Sequence, residues 1–199
     1  MCNLYRMSST IAEVARTFRA IPDHGLNVTN EINPGYAALV VAESRVRSMT
    51  WGFPIGLIGL QDQPLKPRPV SNTRADKLTS PFWRASFERR RCLVPVSNFF
   101  EAEGQSGRRT RAWLSVPGEN LFAFAGIWFN SETSGQYFSI VTTEANPAMA
   151  SIHDRMPVII APDNWARWQL GSPDQAKALC LPWSGGLTVE RTAEPWSGR

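Results

Sequence analysis

The chain is 199 residues long, 43% hydrophobic and 19% charged, with a net charge of +4; this is a globular composition, long enough for a full hydrophobic core, and it excludes disorder. The longest apolar stretch, residues 121–129, falls far short of the ~18 residues a membrane-spanning helix needs, and no basic region followed by an apolar core opens the chain, so neither a membrane span nor a secretory signal is expected. Three cysteines without a CxxC pair and only two histidines give no metal site and no disulfide framework, and point to a reducing, cytoplasmic compartment with no cofactor.

In chain order, residues 10–18 read as a short helix. Ile11, Val14, Ala15 and Phe18 share one face, and Thr10 with Glu13 matches a capping box. Residues 39–42 and 46–51 read as two strands joined by a polar turn. Residues 61–69, rich in proline and polar side chains, are expected to loop. Ser80 and Pro81 then supply an N-cap and a first-turn proline for a helix to about residue 87. Strands are expected at 93–96, 99–101, 112–116, 121–129, 137–142 and 157–160. Short helices are expected at 146–151, 163–168 and 173–179, and a last strand near 187–189. Spacing is too irregular for βαβ repeats. The pattern gives an α+β class: a single domain over 1–199 with a curved, barrel-like, mostly antiparallel sheet and short peripheral helices.

Charge is unevenly spread. Between Lys66 and Arg111 lie eleven basic and four acidic residues, a net of +7, so the rest of the chain carries −3. Concentrated positive charge suits a polyanionic partner, although a solvated basic face would look the same. The opening dipeptide is more specific. Removal of Met1 is expected, because the next side chain is small, and would leave Cys2 with a free α-amine and a thiol on adjacent carbons. Unperturbed, these titrate near about 7.7–8.0 and about 8.5, so both are partly nucleophilic near neutral pH. Such a 1,2-aminothiol condenses with an aldehyde to an imine, and the thiolate then closes a thiazolidine ring.

Four segments look like parts of one site: "MCNLY" with Cys2; "SNTRAD" with Asn72 and Arg74; "RRRCLVPVSNFFEAEG", where Glu101 ends an apolar strand; and "ANPAMASIHDRMPVIIAP", with His153, Asp154 and Arg155 before a strand. Together with "TWGF" at 50–53, these motifs, in this order, strongly resemble the SRAP family (SOS-response-associated peptidase fold; abasic-site-processing proteins). The resemblance implies binding of single-stranded DNA, or of single-strand/duplex junctions, that carries an abasic site. It implies a covalent link from the N-terminal cysteine to the ring-opened deoxyribose, with no membrane role and a monomeric, nucleoid-associated protein if the source is bacterial. By the same resemblance the nucleophile is Cys2, the site carboxylate Glu101 and the site histidine His153, with Asn72 and Arg74 as the Asn-x-Arg element. Three positions depart from the family: Asn3 and Leu4 stand where Gly-Arg is common, and Ala102 where an aromatic often follows the glutamate. A phosphate contact from the missing arginine is absent or supplied elsewhere, Arg6 being one candidate.

The expected roles follow. His153 can donate a proton to the deoxyribose ring oxygen and take it back. Glu101 can hold the Cys2 α-ammonium and move its proton, Glu103 being an exposed decoy. Asn72 can position Cys2 or donate to a sugar hydroxyl. Arg74, Arg84 and Arg155 are candidate phosphate contacts, Trp51 and Phe53 candidate base-stacking rings, and Thr142 a candidate lining of the sugar pocket. Asn3, next to the nucleophile, is a further candidate DNA contact. Asp154 could orient His153, though neighbours on an extended segment usually point apart. Cys92 and Cys180 read as buried, inert thiols. Three functions remain open: covalent capture of abasic sites, with possible lyase or link-reversal activity; a thiol peptidase with the same residues, whose first substrate would be its own Met1 bond; and a non-enzymatic single-strand binder.

Overall fold

The computed structural model describes residues 2–27, 29–58, 64–105 and 107–196, with backbone alone for 56–58 and 64–68. In chain order its strands are β1 (Tyr5–Arg6), β2 (Ile21–Pro22), β3 (Glu31–Ile32), β4 (Ala37–Ala42), β5 (Arg45–Trp51), β6 (Phe53–Ile58), β7 (Pro64–Val70), β8 (Asn72–Arg74), β9 (Arg91–Val96), β10 (Asn98–Glu103), β11 (Thr110–Ser115), β12 (Phe122–Ser131), β13 (Gly135–Glu144), β14 (Arg155–Pro157), β15 (Ile159–Ile160) and β16 (Thr188–Pro195). The helices are α1 (Ile11–Thr17), α2 (Pro81–Arg89), α3 (Pro147–Ala150), α4 (Trp165–Leu170) and α5 (Pro173–Lys177). Among the described residues no helix is long and apolar enough to cross a membrane.

The path β13-β12-β9-β4-β5 closes on itself, because β5 pairs parallel with β13 through Thr50–Tyr137 and Trp51–Phe138. Among the described residues this is a closed barrel of five strands, so the α+β class with a barrel-like sheet is what the chain adopts. Closure removes the exposed edges an open sheet would present. A second sheet, ordered β16-β11-β10-β1-β3, packs against the barrel. The seam is aromatic: Tyr5 meets Trp51 edge-on at 5.1 Å, and Phe99 meets Phe124 at 5.3 Å.

Side-chain alternation on this second sheet fixes where the site must lie. Tyr5 and Phe99, paired across β1 and β10, face the main core, whereas Leu4 and Phe100 face a satellite cluster with Trp113. Glu101, two residues after Phe99, therefore returns to the core-facing side and is 3% exposed.

The capping box forms as the sequence predicts. Thr10 Oγ1 accepts from Glu13 N at 3.2 Å, and Glu13 Oε2 accepts from Thr10 N at 2.7 Å. Ser80 sits at the N-cap of α2 but makes no side-chain cap bond. The expected loop over 61–69 is corrected in its described part: Pro64–Val70 is a strand paired with Phe53–Ile58, while 61–63 lie outside the described residues. An isolated two-stranded ribbon tolerates prolines, because their missing N–H groups can face outward. Gly52, at φ 115°, turns the chain into that ribbon, where a Cβ would fall 2.5 Å from Pro69 Cβ.

The basic segment contains one cation that no polyanion reaches. Arg91 is 7% exposed and donates to Trp168 O (2.5 Å), Phe87 O (2.7 Å), Glu88 O (3.2 Å) and Gly171 O, joining the ends of α2 and α4. Lysine cannot reproduce this planar fork. Arg91→Lys is expected to cost about 2–4 kcal/mol, because it strands buried carbonyls, while leaving the salt dependence of any polyanion binding unchanged; urea unfolding and salt titration check the two halves.

Candidate active site

Cys2 is fully buried, with Sγ donating to Leu4 O at 3.6 Å. Its position follows from β1, which is held on both sides by β10 and β3, with Phe100 N donating to Leu4 O at 3.1 Å. Asn72 fixes the residue from the opposite side: Nδ2 donates to Cys2 O (2.9 Å) and to Ser71 Oγ (3.0 Å). Asn72 is delivered by β8, where Thr73 points inward and is held by Ser139 at 2.8 Å. The Asn72 Oδ1 atom is buried without a hydrogen-bond partner. A buried acceptor of fixed orientation beside the nucleophile is positioned to receive an N–H or O–H.

Burial pushes the Cys2 thiol well above its ordinary range, and the Glu101 carboxylate adds to the rise. Burial likewise raises Glu101 to about 7, against the lowering effect of the positive charge at the head of the chain. Near neutral pH this carboxyl is half ionised, the condition in which one group both takes and returns a proton. His153 moves the other way. Desolvation, then the same positive charge, lowers it from 6.5, so the ring is neutral at pH 7.

The loop carrying His153 is rigidly built. Asn146 caps α3 by accepting from Met149 N (3.0 Å) and donates to Trp183 O (2.9 Å), and His153 N donates to Met149 O (3.0 Å). His153 Nδ1 has two neighbours, the Arg155 N–H at 3.0 Å and Asp154 Oδ1 at 2.8 Å. One nitrogen cannot accept from the first and donate to the second at once. The contacts belong to two tautomers: with Nδ1 bare, Nε2 carries the proton and donates a hydrogen bond; with Nδ1 protonated against Asp154, Nε2 is a base. Since the ring is neutral, the Asp154 contact is a hydrogen bond rather than an ion pair. The sequence expectation that these neighbours point apart fails here, because residues 153–154 lie in a bend between α3 and β14 and not on a strand.

Other candidates fall outside this centre. Trp51 is 0% exposed, with Nε1 donating to Ser71 O at 2.8 Å and its ring stacked on Phe138. Phe53 is 4% exposed, packed on Trp83 at 5.0 Å. Rings without an open face cannot stack on a base, so both are corrected from contact residues to core. Thr142 is buried and accepts from Arg155 Nη2 at 3.1 Å, so it holds that arginine rather than lining a pocket. Arg155 also donates to Thr142 O at 2.8 Å. Arg74 is exposed and paired with Asp76 through two 2.9 Å contacts. Arg74 and Arg155 line a cleft of about 350 Å³ with Lys177, which donates to Ala75 O. Arg84 is exposed on α2 and is not among the residues these contacts bring together. Glu103 is half-buried rather than exposed, clamped by Arg191 at 2.8 and 3.1 Å. Cys92 and Cys180 are buried. Among the described residues no group of three His, Cys, Asp or Glu side chains is placed to hold a metal ion.

A larger cleft, about 510 Å³, opens beside Cys2 between Asn3, Ser71, Tyr36, Arg111 and Trp196. Sequence reading missed Tyr36, Arg111 and Trp196, which converge only in the fold: Tyr36 precedes β4, Arg111 lies on β11 and Trp196 follows β16.

YoaM of Bacillus subtilis, an abasic site processing protein, is 36% identical over 121 residues, a match covering 56% of this chain and 53% of YoaM, about half its length. YoqW, an abasic site processing protein of the same organism, is 26% identical over 92% of this chain and 88% of its own. A crystal structure of a Bacteroides thetaiotaomicron protein superposes with a TM-score of 0.80 at 21% identity, over 96% of this chain and 91% of that one, which establishes the shared fold. The family model for SOS response associated peptidase (SRAP) proteins matches residues 1–192, and the chain belongs to that family.

Proposed function

We propose that this protein processes abasic sites in single-stranded DNA by capturing the ring-opened sugar on Cys2 once Met1 is removed. The observation that carries the reading is the buried Glu101 carboxyl, raised to about 7 and acting electrostatically on the Cys2 thiol. The names of YoaM and YoqW support the substrate class.

The chemistry assigns each group a step. His153 Nε2 takes the proton of the anomeric hydroxyl and, as the imidazolium so formed, gives it to the sugar ring oxygen, opening the ring to the aldehyde. Glu101 takes a proton from the Cys2 α-ammonium. The neutral amine attacks the aldehyde carbon, and the resulting hydroxyl leaves as water, using the proton Glu101 holds. The Cys2 sulfur then adds to the imine carbon as the thiol proton passes to the nitrogen, closing the thiazolidine. Asn72 keeps the Cys2 backbone aligned throughout.

Intact mass tests this directly. The purified chain is expected to lack Met1 and, after mixing with an oligonucleotide bearing one abasic site, to give a species equal to protein plus DNA minus one water. Absence of that species from protein with a verified free Cys2 would overturn the reading. The word peptidase in the family description suggests self-removal of Met1 by the same thiol and carboxyl. Retention of Met1 in Glu101→Gln alone would support that second activity.

A further inference from the structure

Arg111 forms one wall of the 510 Å³ cleft beside Cys2, and none of the steps above uses it. Its guanidinium carbon lies 5.9 Å from the ring centre of Phe100 and 5.9 Å from that of Trp196, rings themselves 4.7 Å apart. Two aromatic faces thus hold the group over the cleft wall. Its Nε is buried and has no hydrogen-bond partner. Its one ion-pair contact among the described residues is Glu194 at 3.5 Å, a carboxylate 57% exposed. Such a long, solvated contact neutralises little.

Arg6, the cation the sequence offered for this region, is differently placed. Its Nε and Nη2 both donate to Glu31 Oε1, at 2.9 and 2.6 Å, and its guanidinium lies 3.9 Å over Trp113. Of the charged residues lining the cleft, Glu31 is therefore matched by Arg6, and Arg111 is left as the cation without a close carboxylate. Leu4, on the same wall, fills the satellite apolar cluster under Phe100 and contributes no charge.

We propose that Arg111 binds a backbone phosphate of a single-stranded nucleic acid in this cleft, setting the strand beside Cys2. The proposal rests on the proposed function for the strand's identity. The cleft volume is in the range of about 300–1,000 Å³ of sites that hold small ligands, room for a nucleotide. The side chain is 27% exposed, so an anionic oxygen in the cleft would pair with the exposed part of the guanidinium, whose planar fork suits a phosphate.

The test uses undamaged oligothymidylate and the Cys2→Ala background, so that no covalent step contributes. Arg111→Gln is expected to weaken binding about tenfold and to lower the slope of log affinity against log salt by about 0.7, one phosphate contact on a single strand. Arg111→Lys is expected to keep the slope, since it keeps the charge. A slope unchanged in Arg111→Gln overturns the proposal whatever the affinity does, as does a parent that shows no salt-dependent binding. Adduct formation is read separately by mass, so failure of capture with a reduced slope would remove the chemistry and leave the phosphate site.

Discussion

Cys2→Ser is expected to abolish the heat-stable adduct, a loss of at least about a hundredfold, while retaining a species that borohydride traps. Serine keeps the α-amine, so condensation with the aldehyde still gives an imine. Its hydroxyl is a far weaker nucleophile than a thiolate and closes the five-membered ring poorly, so the imine hydrolyses unless reduced. Cys2→Ala gives the same pattern, and acetylation of the parent's amine removes both species. The comparison separates the two nucleophiles on one residue: amine loss stops the first bond, thiol loss only the second. A heat-stable adduct in Cys2→Ser without borohydride would show that the sulfur is not the closing group.

Glu101→Gln is expected to slow capture by about 10²–10⁴-fold, the usual contribution of a positioned acid–base group, and at the same time to stabilise the fold. The sign follows from the titration. The carboxyl sits at about 7 in the folded protein, against an ordinary value near about 4.3 in an unfolded chain. Below pH 4 both states are protonated and burial carries no ionisation cost. As pH rises from about 4 to about 7, the unfolded state ionises first and folding loses free energy, reaching about 4 kcal/mol above pH 7. Glutamine carries no such penalty. The variant is therefore expected to be flat across that window and more stable than the parent at pH 8, by urea unfolding. A parent whose stability is constant from pH 4 to 8 would mean that the carboxyl is not held in this environment.

Local signals in the sequence located what depends on near neighbours. The Thr10–Glu13 box is four residues of chemistry, and it forms. Glu101 was legible as a carboxylate closing an apolar run, because alternation from Phe99 requires it to face inward. What required the whole fold was not legible. Trp51 sits in a segment that reads like a contact motif, yet closure of β5 on β13, through residues 137 and 138, buries its ring. Arg91 counts as one of many positive charges until α4, some 75 positions on, supplies carbonyls for it. The Pro64–Val70 strand has a composition that argues against pairing; it pairs because its partner makes no demand for a second neighbour. The His153–Asp154 contact was discounted on strand geometry that the chain does not adopt there.

The place of β1 between β10 and β3 bears on how the reactive terminus comes into being. Tyr5 is paired to Phe99, 94 positions later in the chain, so the first residues to leave the ribosome must wait for the hundredth before they find their sheet. At about 5–20 residues per second, the leading methionine stays accessible to trimming for roughly 5–20 s. Once β1 has docked, Cys2 is buried, and an enzyme arriving late would have to wait for the sheet to open. Slow maturation in the cell would then be a matter of timing rather than of the cysteine's intrinsic reactivity.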